Sequence, residues 1–146
     1  MEPEMLIVNY INMLSASMRQ SMQKYREMPE CADLFKLTIT QLHYLHAINE
    51  VTAVTFRDLV SKFKVQKPTV TDIVNRLIKR GLVAKQQSAE DRRVFHLHLT
   101  EKGQQLLQLE SMGYYQFAQK MTACLNSEEK ALFTAILQKS TAGLQA

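Results

Sequence analysis

Thr69, Thr71, Asp72, Asn75, Arg76 and Lys79 recur at spacings that place them together on the polar side of a single helix. Each carries a hydrogen-bonding group of the kind that reads base edges or grips phosphates. Twelve residues after Lys79, Asp91, Arg92 and Arg93 form a second polar group in a stretch bounded by alternating residues. A guanidinium suits the negative potential of a narrow groove, and a neighbouring carboxylate can hold it in one orientation. Recognition of a nucleic acid is the chemistry these two groups would serve.

The first group needs a helix, and the sequence supplies one. Val70, Ile73, Val74, Leu77 and Ile78 recur at i, i+3, i+4, i+7 and i+8, which makes one apolar stripe opposite the polar side chains. Pro68 belongs in the first turn, where a missing N–H is no loss, and Gly81 follows the end, where a left-handed cap needs no side chain. Beyond Gly81 the period falls to two. Phe95, Leu97 and Leu99 alternate against Val94, His96 and His98, predicting a strand pair whose polar tip runs from Ser88 to Arg93.

Upstream, Thr55 and Asp58 have the spacing of a capping box, and Phe56, Leu59, Val60 and Phe63 form the stripe of a short helix behind it. Two short amphipathic helices with a brief turn between them, the second more basic outward, make a helix-turn-helix, and the basic hairpin adds a wing. Thr38 and Gln41 form another capping box, opening a helix with Leu42, Leu45, Ala47 and Ile48 inward. Asn49 to Ala53 reads as a turn. An amphipathic helix is expected over 5–25, with Leu6, Tyr10 and Tyr25 among its apolar positions, and a loop from Pro29 to Asp33. Thr100 is the expected cap of a long helix reaching Leu125. Ser127 is the expected cap of the last helix, whose stripe is Leu132, Phe133, Ile136 and Leu137.

A chain of 146 residues, 46% hydrophobic and 22% charged, suits one globular domain. No apolar run reaches the roughly 20 residues of a membrane-spanning helix. The start, MEPEMLIVNY, has acid where a secretory signal has base, so no membrane partner and a cytoplasmic location are expected. The formal net charge is +4, but its placement is the sharper signal. Residues 57–93 hold ten Lys or Arg against four acids, a balance of +6, and the rest of the chain therefore carries −2. That concentration is what a nucleic-acid footprint requires. A helical protein-interaction module with an incidental basic patch is the competing reading, since a charge run is often only a solvated face.

Catalysis is not expected: there is no nucleophile elbow, phosphate loop or zinc-hydrolase motif. Four glycines offer little backbone for cradling a nucleotide, and no cofactor is expected. Cys31 and Cys124 form no paired motif and read as reduced thiols, with redox sensing as an alternative. His43 and His46 lie three apart on one helix, and His96 and His98 share a strand face. Each pair has ligand geometry for a metal, and each also reads as part-buried or solvated surface, so no metal site is assigned.

The runs LTITQLHYLHAI, TFRDLVSKFKVQKPTVTDIVNRLIKRGLVAK and EDRRVFHLHLTEKG, with SEEK opening the last helix, together resemble the MarR family of winged-helix transcription regulators. Thr69-Val70-Thr71, the segment ending RGLV and Asp91-Arg92-Arg93 are the most specific parts. The resemblance implies a mainly α fold with a small β wing, one domain over 1–146. Its DNA-binding part would span 38–100, with dimerisation helices over 1–30 and 101–146. It implies a homodimer, acting as a repressor on a palindromic double-stranded DNA operator and released by a small organic effector. The Pro68 helix would enter the major groove and the wing the minor groove, with Arg93 as the minor-groove arginine and Asp91 as its partner. The candidate DNA contacts are Lys67, Pro68, Thr69, Thr71, Asp72, Arg76, Asp91, Arg92 and Arg93. Tyr10, Met13, His43 and Phe63 are candidate effector-lining residues by the same analogy. A metal-responsive or thiol-responsive regulator of the same fold is the alternative. The chain departs from the family pattern at Asp72, where relatives often carry a basic residue, at Asn75, and at Gln66 and Lys67, where a Ser cap is usual.

Overall fold

A computed structural model describes residues 1–29, 32 and 36–146, together with most of their side chains. Its elements are α1 (Pro3–Tyr25), α2 (Ile39–Glu50), β1 (Val54–Thr55), α3 (Phe56–Phe63), α4 (Lys67–Lys79), β2 (Val83–Gln87), β3 (Phe95–Leu99), α5 (Glu101–Thr122) and α6 (Ser127–Gln145). The mainly α architecture with a small β wing is as the sequence predicts. Cys31 and most of the expected 29–33 loop lie outside the described residues. The chain folds as two compact units, one of residues 19–111 and one of residues 1–18 with 112–146, so the boundary falls within both long helices.

The 19–111 unit is built around the winged part. Its core takes Tyr44, Leu45, Ala47 and Ile48 from α2, Val54 from β1, Leu59 from α3, and Val70, Val74 and Leu77 from α4. Leu82, Val83, Leu97 and Leu99 from the sheet region, and Leu106 and Leu107 from α5, complete it. The α4 stripe therefore buries as its spacing requires, with Ile73 and Ile78 packed at its edges. Tyr44 is absent from the inward set predicted for α2, yet it is buried and stacks on Phe63 with ring centroids 4.2 Å apart. Desolvation there raises its phenol pKa above the usual value.

The sheet has three antiparallel strands in the order β1-β3-β2. Val83 pairs with Leu99 and Gln87 with Phe95 along the predicted hairpin. The third strand, Val54 pairing with Leu97 and Thr55 with His96, is an addition to the expected pair, and two residues are too few to show a period. Asn49 and Glu50 remain helical, so the expected turn contracts to 51–53, where Ala53 has a φ of 60°.

Capping chemistry sets the helix starts. Thr38 and Gln41 exchange the two bonds of a capping box, both 3.1 Å. In the Thr55 box, Asp58 accepts from the Thr55 backbone N–H at 2.8 Å and from its hydroxyl at 2.9 Å, and the Asp58 N–H donates to the Thr55 oxygen at 3.1 Å. The Thr55 backbone bond, followed by the hydroxyl bond, holds the Asp58 carboxyl below its ordinary value of 3.8. Because the folded value lies below the unfolded one, this stability is present above the ordinary value and is lost as pH falls through the depressed one. Thr55→Ala is expected to cost about 1 kcal/mol and to flatten that acid-side loss, measured by urea unfolding at a series of pH values. An unchanged urea midpoint at neutral pH would remove the box from the account of stability.

At the end of α4, the Gly81 N–H donates to the Ile78 carbonyl at 2.9 Å and the Leu82 N–H to the Leu77 carbonyl at 3.0 Å, with Gly81 at φ 72°. This is the Schellman arrangement that a glycine at that position permits. Thr100 caps α5 as expected, its hydroxyl oxygen accepting from the Gly103 N–H at 3.1 Å.

In the other unit, Tyr10 and Phe117 meet with centroids 5.5 Å apart. The α6 cap is Asn126, not Ser127: the Glu129 N–H donates to the Asn126 side chain at 3.0 Å, and Glu129 accepts from the Asn126 N–H at 2.9 Å. Only a cap at 126 sets an acceptor, Glu129, three residues on; a cap at 127 would face Lys130. α5 also stops at Thr122, three residues before Leu125, where the Leu125 N–H turns back to the Thr122 carbonyl. No helix among the described residues is long and apolar enough to cross a membrane.

Candidate nucleic-acid interface

The outward side of α4 is where the candidate residues gather. Lys67, Pro68, Thr69, Asp72, Asn75 and Arg76 are exposed, and Thr71 is half-buried. The helix starts from an extended Gln66 whose side chain makes no capping bond, and Pro68 occupies the first turn. A helix start without a side-chain cap, next to a lysine, suits a phosphate. Thr71 donates its hydroxyl to the Lys67 carbonyl at 2.9 Å, which leaves its oxygen free to accept and its methyl free to touch a base. Arg76 donates from Nε to the Asp72 carboxylate at 3.1 Å, one helical turn away.

The wing is a turn fixed by its own polar atoms. The Ser88 N–H donates to the Val94 carbonyl at 2.8 Å, the Val94 N–H to the Asp91 carbonyl at 2.9 Å, and Gln87 Nε2 to the Arg92 carbonyl at 2.7 Å. Within it, Arg93 makes a forked contact to Asp91, from Nε at 3.2 Å and from Nη2 at 3.3 Å, with its backbone N–H adding a third bond at 3.0 Å. The Arg93 side-chain bond, then the backbone one, holds the Asp91 carboxyl below the usual carboxylate range. Asp91 is therefore held as the carboxylate, and Arg93 is oriented while its side chain remains 91% exposed.

Helix and wing share one surface. A groove of about 670 Å³ is lined by Lys67, Thr71 and Asn75 of α4, by Thr55, Phe56, Arg57 and Val60 of the preceding segment, and by Lys85, Arg93, Val94 and Phe95 of the wing. Four of its lining residues are cationic. Pro68, Thr69, Asp72, Arg76, Asp91 and Arg92 do not line it. Sequence reasoning singled out neither Arg57 nor Lys85 as site residues, although both counted toward the basic cluster. Their signal was positional: Arg57 follows a cap, and Lys85 lies on β2 with its ammonium 5.0 Å from the Phe95 ring centre.

The remaining candidates divide between the two units. Tyr10 and Met13 belong to one unit, His43 and Phe63 to the other. His43 is exposed, and Phe63 is engaged with Tyr44. His46 bonds Glu110 at 2.7 Å, and His96 Nδ1 lies 3.1 Å from the Ala53 carbonyl. Among the described residues, no three His, Cys, Asp or Glu side chains come together as a metal site would require. Cys124 is exposed, with its sulfur 3.5 Å from the Met121 carbonyl.

A MarR family sequence model matches residues 37–95. The transcriptional regulator BilQ of Clostridioides difficile is 33% identical over 78 residues, 53% of each chain, so the match spans about half of that relative's length. The uncharacterized HTH-type transcriptional regulator YsmB of Bacillus subtilis is 28% identical over 110 residues, 75% of each chain. The crystal structure of Streptococcus pneumoniae FabT in complex with DNA matches with a TM-score of 0.66 and 26% identity, covering 97% of this chain and 94% of that one.

Proposed function

The chain belongs to the MarR family of winged-helix transcription regulators, and from that footing we propose that it represses transcription as a homodimer bound to a palindromic operator in double-stranded DNA. The observation that carries the reading is the single surface on which α4 and the wing meet, with Lys67, Thr71, Asn75 and Arg93 around one groove. Lys67, Pro68, Thr69, Thr71, Asp72 and Arg76 would work in the major groove, and Asp91, Arg92 and Arg93 at the minor groove. A regulator rather than an enzyme also accords with BilQ, YsmB and FabT, of which the first two are transcriptional regulators and the last was crystallised on DNA.

The dimer is supported by apolar side chains outside the winged part. Leu6, Ile7, Val8 and Ile11 of α1, and Leu132, Ile136 and Leu144 of α6, are each more than half exposed in the single chain. A second copy covering them would remove an apolar surface that a monomer rarely keeps. Two reading heads related by a two-fold axis would then meet half-sites about one DNA turn, roughly 34 Å, apart. A small organic effector would act by preferring a dimer whose heads are wrongly spaced. A 100-fold preference weakens operator binding by about 2.7 kcal/mol.

Selection of bound duplexes from a random pool tests the reading, with the enriched sequence matched to DNA upstream of the protein's own gene. A palindromic consensus is expected. The logarithm of its binding constant should fall linearly with the logarithm of salt concentration, with a slope of about 0.9 for each phosphate neutralised. Binding that is neither sequence-selective nor salt-sensitive would return the protein to the interaction-module reading.

A further inference from the structure

Asp72 is out of place on a helix that meets a polyanion, because a lone carboxylate there repels phosphate. In the structure it is not alone. Its Oδ2 accepts from Arg76 Nε at 3.1 Å, and the two side chains are 61% and 67% exposed on the outward side of α4. An exposed pair four residues apart contributes only about 0.3–0.5 kcal/mol to a helix, so stability is a weak reason for it. Its position offers a stronger one. Asp72 also borders a shallow depression on the helix surface with Asn75 and with Lys67, Pro68 and Thr71, the last three candidates for contact with DNA.

We propose that Asp72 and Arg76 form one composite reader, in which Asp72 positions Arg76 to select guanine at a fixed place in each half-site. The inference rests on the DNA-binding reading above and adds a base to it. A guanidinium has two edges that can make paired bonds. Asp72 occupies Nε, on the side edge. The end edge, Nη1 with Nη2, is the fork that matches guanine O6 and N7 in the major groove. Tethering the guanidinium lowers the rotamer entropy lost when it docks. The pair is also close to neutral overall, which removes most of the phosphate repulsion a free aspartate would bring. Without Asp72, Arg76 would be a mobile cation whose easiest partners are phosphates, which carry no sequence information.

The test compares base preference rather than affinity alone. After selection with the unmodified protein, each base of the enriched half-site is varied in turn and competed against the unmodified, D72A and R76K proteins, with thermal midpoints measured alongside. One guanine position is expected to show a preference on the order of tenfold. In D72A this preference should shrink to about twofold, while affinity for unrelated duplex DNA rises and its salt slope steepens. R76K should lose the same preference at the same position, since an ammonium keeps the charge but not the fork. Neither variant should shift the thermal midpoint appreciably. A D72A base profile identical to that of the unmodified protein overturns the composite reader and leaves the regulator reading intact. Failure of the unmodified protein to select any duplex overturns both.

Discussion

Arg93→Ala is expected to weaken operator binding about a hundredfold or more while leaving the fold as it is. The side chain is 91% exposed and holds no other element in place, so its removal leaves no cavity and no buried orphan. The loss falls on the DNA side. A well-placed groove contact is worth about 1–3 kcal/mol, and the proposed homodimer would lose two of them at once. The wing is ready to make that contact because its geometry is fixed in advance. Two bonds from the Arg93 guanidinium to Asp91 hold the side chain, and the Arg93, Ser88 and Val94 backbone N–H bonds hold the turn beneath it. Asp91→Ala should therefore weaken binding in the same direction but by less, because the cation survives and only its ordering is lost. Arg93→Lys should also fall between the two, as a point charge enters a narrow groove without the guanidinium's weaker hydration and planar fork. Fluorescence anisotropy with a labelled operator reads all three, and circular dichroism melts confirm the fold. If Arg93→Ala bound the operator as the unmodified protein does, the wing would have no part in recognition.

What the amino-acid sequence makes legible here is whatever depends on neighbours a few residues apart. The Thr38 and Thr55 boxes and the Gly81 cap rest on bonds within five residues, the α4 stripe shows in a spacing of three and four, and all appear in the structure. Asn126 belongs to the same class, since its Glu129 partner is local. Ser127 has an equal intrinsic preference for the cap, and only the reciprocal acceptor separates the two. The features that escape are those created by distant chain. β1 exists because Val54 finds Leu97, more than forty residues on. Tyr44 turns inward because Phe63 offers a ring to stack on, and its hydroxyl disguises it as a surface residue. The interface divides along the same line. Local charge density points to residues 57–93, but only folding brings Arg57, Lys67, Lys85 and Arg93 around one groove. The Asp72–Arg76 pair lies between the two cases: its spacing is that of a helical ion pair, and its orientation is visible only in the structure.

Gly103→Ala carries the largest expected effect on stability, and its sign runs against helix propensity. Gly103 lies in the first turn of α5, where alanine would ordinarily gain about 1 kcal/mol over glycine. A Cβ at this position, however, would sit well inside van der Waals contact of the Leu82 carbonyl oxygen, 3.2 Å from that carbonyl's carbon and 3.4 Å from the Leu99 Cβ. The obstacle is backbone, so it cannot swing away as a flexible side chain would. It is also anchored. The Leu82 carbonyl accepts from the Thr100 N–H at 3.0 Å, the Thr100 hydroxyl donates to the Gly81 carbonyl at 2.6 Å, and its oxygen accepts from the Gly103 N–H at 3.1 Å. These bonds join the end of α4, the start of β2, the end of β3 and the start of α5. Relieving the clash means moving α5 off this junction and loosening the contacts of Leu106 and Leu107, both buried in the same core. Overpacking against side chains typically costs 1–3 kcal/mol, and an anchored backbone places this case at the upper end, about 3 kcal/mol. For a chain of this length that is a fall of about 10 °C in thermal midpoint. Operator affinity should fall as well, because the junction sets where α4 ends and where the wing strands begin. A rise in thermal midpoint, as propensity alone would give, would show that α5 does not approach Leu82 as closely as the structure has it.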